Sequence, residues 1–180
     1  MRLEAVRIVS AWLRDATYGV AAKLAALPLD GSDTRPDTIA SGQVVDEASN
    51  AHAAFRRFDG LTMPALIVSV VGDVEYRDSE LPQYTERTDG TVTVQVRVAH
   101  RKLASESAIA DAVYYIRAVV ASLRELHKNE NVASRTRNSI RLVSCESLVE
   151  QGVYEEVEDT WLLAAVQARY YVSNLLPLGA

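Results

Sequence analysis

The chain has 180 residues, 48% of them apolar and 24% charged, the proportions of a folded globular protein and far from those of a disordered one. Its length fits a single domain, 1–180, better than two. A net charge of -5 and a pI near 5.2 provide no global positive field for a phosphate backbone, and a single cysteine, Cys145, excludes an intramolecular disulfide framework.

The N-terminal segment breaks its apolar pattern with Glu4, Arg7, Arg14 and Asp15, unlike the continuous apolar core of a signal peptide. No stretch reaches the roughly 18 apolar residues of a membrane span. A cytosolic protein is therefore expected. Leu3, Val6, Val9, Leu13, Ala16, Val20 and Leu24 recur at spacings of three and four, which predicts a helix with one buried stripe. Gly19 is placed to divide it, and Pro28 to end it.

A turn-rich loop follows from Pro28 to Asp37 and opens a long connection at about 28–60. Within it Ile39, Val44 and Val45 suit a short strand, and Ala48, Ala51, Phe55 and Phe58 a short helix. Leu66, Val68, Val70, Val74 and Tyr76 then share one parity, with Ser69, Asp73 and Glu75 on the other: a strand buried on one face. A polar segment, Asp78 to Asp89, separates it from Val92, Val94, Val96 and Val98, which alternate with Thr91, Thr93, Gln95 and Arg97. The two strands are expected to form a long-looped hairpin.

Ser105 or Ser107 can cap a second helix, about 106–127, whose Ile109, Val113, Ile116, Val120 and Leu123 form a stripe. Strands at about Ser139–Leu148 and Thr160–Val172 complete the order α-β-β-α-β-β. The expected fold is α+β: a four-stranded, largely antiparallel sheet with two main helices packed on one face. Residues 174–180 form an apolar C-terminal extension beyond the last strand.

The chemistry-bearing residues do not assemble into a linear motif. His52, His100 and His127 fall in three different predicted elements and make no zinc-ligand spacing. His127, at the end of the second helix, reads as a C-terminal cap. Cys145 adjoins Glu146, whose charge disfavours the thiolate. The glycines make no phosphate-binding turn, no Gly-x-Ser-x-Gly elbow occurs, and the Glu155-Glu156 and Glu158-Asp159 pairs lack the oxygen spacing of a calcium loop. Trp161, Tyr170 and Tyr171 read as sheet packing in preference to base stacking. The reading is thus of a non-enzyme with no catalytic residue, metal or cofactor.

With its long first helix, the Pro-led strand Met63-Pro64-Ala65-Leu66-Ile67-Val68 within Leu61 to Val68, a Val-alternating partner, the helix segment Ala108-Ile109-Ala110-Asp111-Ala112-Val113 and a closing strand pair, the chain resembles the tail terminator or tail-completion proteins of long-tailed phages over most of 1–173. That resemblance implies a cofactor-free structural virion protein made in the host cytoplasm and residing at the tail–neck junction. It would form a homo-oligomeric ring, commonly a hexamer, that caps the tail tube, stops its elongation and meets the neck or head-completion protein, with no membrane and no sequence-specific nucleic acid as partner.

Under this reading Glu80, Glu86, Arg87 and Asp89, in a projecting hairpin loop, contact the tube. Basic Arg135, Arg137 and Arg141 complement acidic Glu155, Glu156, Glu158 and Asp159 across neighbouring subunits, and Leu175, Leu176 and Leu178 add a further subunit contact. The alternatives are a neck or head-completion connector that binds the portal, and a small-molecule-binding or enzymatic domain whose site is built from Glu75, Arg97, His100 and Tyr115. A nucleic-acid-binding module is the weakest of the readings.

Overall fold

The computed structural model describes residues 2–47, 61–71, 75–77, 85–100, 106–128, 138–156 and 159–177. In chain order these form α1 (Arg2–Leu13), α2 (Val20–Ala26), a 3-10 turn (Ser41–Gln43), β1 (Val44–Asp46), β2 (Ala65–Val70), β3 (Glu75–Arg77), β4 (Thr85–His100), α3 (Glu106–Lys128), β5 (Asn138–Glu156) and β6 (Asp159–Pro177). The protein is α+β, with a mixed, mostly antiparallel sheet. Four strands in the order β2-β4-β6-β5 make the antiparallel body. Short β1 adds to β2 in parallel, and short β3 pairs with β4 beside β2.

The expected four-stranded, largely antiparallel body is therefore present, and two short strands add to it. Val44 and Val45 do form a strand, β1, and the expected strand Leu66–Tyr76 is two, β2 and β3. The last two strands are longer than their apolar alternation suggested. Each has 19 residues, about 60 Å at about 3.3 Å per residue, against about 35 Å for the 23 residues of α3.

α1 lies over β1 and β2, while α3 lies over β4, β6 and β5, so both main helices pack on one face. Alternation sets the floor beneath them. Leu66, Val68 and Val70 of β2, Val94, Val96 and Val98 of β4, and Val166 and Ala168 of β6 share one core with Val6, Val9, Trp12, Leu13, Tyr115, Val119 and Leu123. β2, however, is buried on both faces. Ala65 and Ile67 join Val45 and Ala99 in a second apolar cluster, flanked by Leu61 and Met63. Ser69, read as a polar-face residue, is only 2% exposed.

The helical break comes at Gly19, as expected. Asp15 Oδ1 accepts from the amides of Thr17 and Tyr18 at 2.7 and 2.8 Å, and Gly19 N donates to Asp15 O at 2.9 Å. A Cβ at Gly19 would lie 2.3 Å from that carbonyl, so the turn requires glycine. The stripe is interrupted with it: Ala16 falls in the turn and is exposed.

On α3, Val113 is 37% exposed although periodicity placed it inside, and Ala112, Tyr114, Tyr115, Ala118 and Ser122 are buried. α3 is covered by the sheet on one side and by α2 on another, so its buried arc is wider than a single stripe. Lys23 of α2 bridges to Glu125 of α3 and lies 6.0 Å from the centre of the Tyr18 ring.

Candidate assembly surface

The loop after α2 is pinned to α3. Tyr114 Oη accepts from Asp30 N at 2.7 Å and donates to Asp33 Oδ2 at 2.9 Å, and Arg117 pairs with Asp30 at 2.7 Å. Arg35 bonds the carbonyls of Leu24 and Leu27 and so closes the C-terminal end of α2. Tyr115, wholly buried, donates its hydroxyl to Asp37 O at 2.9 Å. These bonds fasten the loop to α3.

Burial holds the Tyr115 phenol well above the usual tyrosine range, with the Asp111 and Asp37 charges adding to the shift. The folded value therefore exceeds the unfolded one, near pH 10. The corresponding stability is complete below about pH 10 and is lost as pH rises through the folded value. Urea midpoints across this range should fall more steeply for the native protein than for Tyr115→Phe. Equal slopes would mean that the phenol is not the group responsible.

The residues considered for a small-molecule site do not converge. Glu75 pairs with Thr91, nine residues along β4 from His100, which corresponds to about 30 Å of strand. Tyr115 belongs to the helical core. Arg97 lies on the opposite sheet parity, next in line to Ala99 of the second cluster.

The two edges of the sheet differ. β1 is three residues long, and its Val44 carbonyl accepts from Arg14 Nε at 2.9 Å and from an Arg14 terminal nitrogen at 2.7 Å. The same terminal nitrogen reaches Asp46 Oδ2 at 3.0 Å, and Ser10 Oγ donates to that oxygen at 2.9 Å. Beyond β1, Glu47 N donates to Val68 O at 3.1 Å and Glu47 Oε1 accepts from Val70 N at 3.2 Å. At this edge Arg14 thus occupies the Val44 carbonyl, and Glu47 continues the pairing along β2. β5 is the opposite edge, and among the described residues no strand lies outside it.

Glu86, Arg87 and Asp89 are not in a projecting loop but within β4, because the paired region begins at Thr85. Asp89 is flanked on both sides, by Arg77 of β3 and Ser173 of β6. Leu175 and Leu176 do not lie beyond the last strand either: they pair with Arg87 and Glu86 as part of β6. The two groups of expected contact residues therefore meet on one ribbon, Thr85–Thr88 against Asn174–Pro177. β5 begins at the level of Asn174 and β3 ends at the level of Asp89, so among the described residues this ribbon extends beyond both.

No protein-family model and no curated protein matches this sequence.

Arg141 lies in β5 opposite Tyr171, and Glu155 and Glu156 lie at its far end, Glu156 opposite Asp159. Arg141 and Glu155 are fourteen residues apart on one strand, about 45 Å, and do not meet within the chain. Cys145 and Glu146 occupy successive positions between them, opposite Ala168 and Gln167. Trp161, Tyr170 and Tyr171 are all in β6, and His127 is in the last turn of α3. Glu80, Arg135, Arg137, Glu158 and Leu178 lie outside the described residues, as do His52, Phe55 and Phe58.

Among the described residues no three His, Cys, Asp or Glu side chains gather as a metal-binding group, and no helix is long and apolar enough to cross a membrane. Sequence reasoning missed Arg14, Asp46 and Ser10. The available signal was one acidic residue ending an apolar pair, Val44-Val45-Asp46, in an otherwise polar connection.

Proposed function

We propose that the protein is a structural, non-enzymatic assembly protein of the phage tail terminator kind, forming a homo-oligomeric ring that caps the tail tube and joins it to the neck. The observation that carries the reading is the ribbon of Thr85–Thr88 and Asn174–Pro177, which among the described residues extends beyond the strands on both sides of it. A two-stranded ribbon is marginally stable in water and gains most when a further strand or surface covers it. Tube protein or a neighbouring subunit would supply that cover. Leu175 and Leu176, paired with the charged positions Arg87 and Glu86, give such a contact both apolar and ionic components.

The test is native mass across a concentration and salt series, with negative-stain microscopy of the protein mixed with tail tubes. A hexameric ring, free or formed only on tube ends, is expected. Leu175→Asp combined with Leu176→Asp should abolish tube capping while the circular dichroism of the sheet persists. A stable monomer that ignores tubes would overturn the proposal, and binding to the portal instead of the tube would identify a neck or head-completion connector.

A further inference from the structure

We infer that β5 is a self-pairing edge, and that two copies of this chain join their β5 strands antiparallel about a two-fold axis. The argument starts from the unequal edges. A sheet edge presents a row of backbone N–H and C=O groups that favour another strand. At β1 the edge is three residues long, and Arg14 occupies the Val44 carbonyl. At β5 it is 19 residues long, with no strand outside it among the described residues. A head-to-tail pairing of β1 with β5 would therefore satisfy only a small part of the open edge. β5 against β5 joins two edges of equal length and is closed by symmetry.

Charge selects the direction. Irregularities at Leu142/Ser144 and Leu148/Gly152 leave β5 as runs 138–142, 144–148 and 152–156. The first run carries Arg141 as its only charge, and the last carries Glu155 and Glu156; Glu146 and Glu150 lie between them, near the two-fold axis of an antiparallel pair and beside their own copies in a parallel one, so it is the two end runs that distinguish the directions. Antiparallel pairing sets the first run of one copy beside the last run of the other, joining opposite charges twice per dimer. Parallel pairing would set Arg141 beside Arg141 and the glutamates beside themselves, which is unfavourable across strands. The breaks in the ladder also limit open-ended stacking of further copies.

The contact is distinct from the ring, which needs a head-to-tail interface. In a Cys145→Ser background, Ile140→Cys with Tyr154→Cys should give a covalent dimer with a short bifunctional maleimide, and either substitution alone should not. The two positions are fourteen residues apart along one strand, so the cross-link cannot form within a chain. Arg141→Glu should weaken dimerisation about tenfold or more, because each substitution acts twice in a two-fold pair, and adding Glu155→Lys and Glu156→Lys should restore it. A monomer at every concentration would overturn the inference. So would single-cysteine variants that cross-link as well as the double variant, or a dimer indifferent to the charge reversal. A protein that caps tubes without ever pairing through β5 would lose this inference and keep the ring, whereas a β5-paired dimer that never binds tubes would do the reverse.

Discussion

Trp12→Ala will lower the unfolding free energy by about 3–5 kcal/mol and the melting temperature by on the order of 10 °C. Trp12 is 4% exposed and stacks on Tyr18, with ring centres 5.1 Å apart and planes 8° from parallel. Its Nε1–H donates to the Ser122 carbonyl at 2.8 Å, and Ser122 Oγ donates to the Tyr18 carbonyl at 2.9 Å. One side chain thus joins the end of α1, the turn around Gly19 and the C-terminal half of α3. Trp12→Phe separates the two contributions: it keeps most of the packing but removes the donor to Ser122, at an expected cost of about 1–3 kcal/mol. Denaturant unfolding of the three proteins checks this. A loss under about 1 kcal/mol for the alanine variant would mean that Trp12 does not hold α1 to α3.

Asp46→Ala will cost about 2–4 kcal/mol, the second-largest effect expected. The carboxylate is 2% exposed and accepts from Ser10 Oγ and Arg14, so its removal leaves a buried hydroxyl without this acceptor and Arg14 without its counter-charge. The Arg14 side chain is 35% exposed, and solvent screening therefore keeps the loss below that of a fully buried ion pair. Arg14 also holds the Val44 carbonyl, so a double-mutant cycle of Arg14→Ala with Asp46→Ala should be non-additive. Additive losses would show that the two groups act separately on β1.

How much of this was legible beforehand varies by element. α3 was readable from its four-and-three repeat, and β4 from Val92 to Val98, because a single side-chain period over many residues admits one backbone conformation. Gly19 and Pro28 marked helix ends through local backbone geometry. The lengths of β4 and β6 were not readable. Thr85–Asp89 and Asn174–Pro177 lack clean alternation, and their strand character comes from pairing at the end of a ladder of 16 register positions. The candidate surface depended on that pairing, which carried Glu86 and Arg87 out of an expected loop and Leu175 and Leu176 out of an expected tail.

The sequence by itself determined the α+β class, the two main helices and the valine floor beneath α3. Each of these follows from local periodicity and the drive to bury apolar area. Only the tertiary structure decided that β6 lies between β4 and β5, that β2 is buried on both faces, that Val113 is exposed, and that Arg14 holds the Val44 carbonyl at one sheet edge while β5 stands at the other. The physical reason is that neighbours distant in sequence settle these outcomes. Strand order, edge cover and the width of a buried helical arc depend on which elements meet, and no window of adjacent residues contains that information.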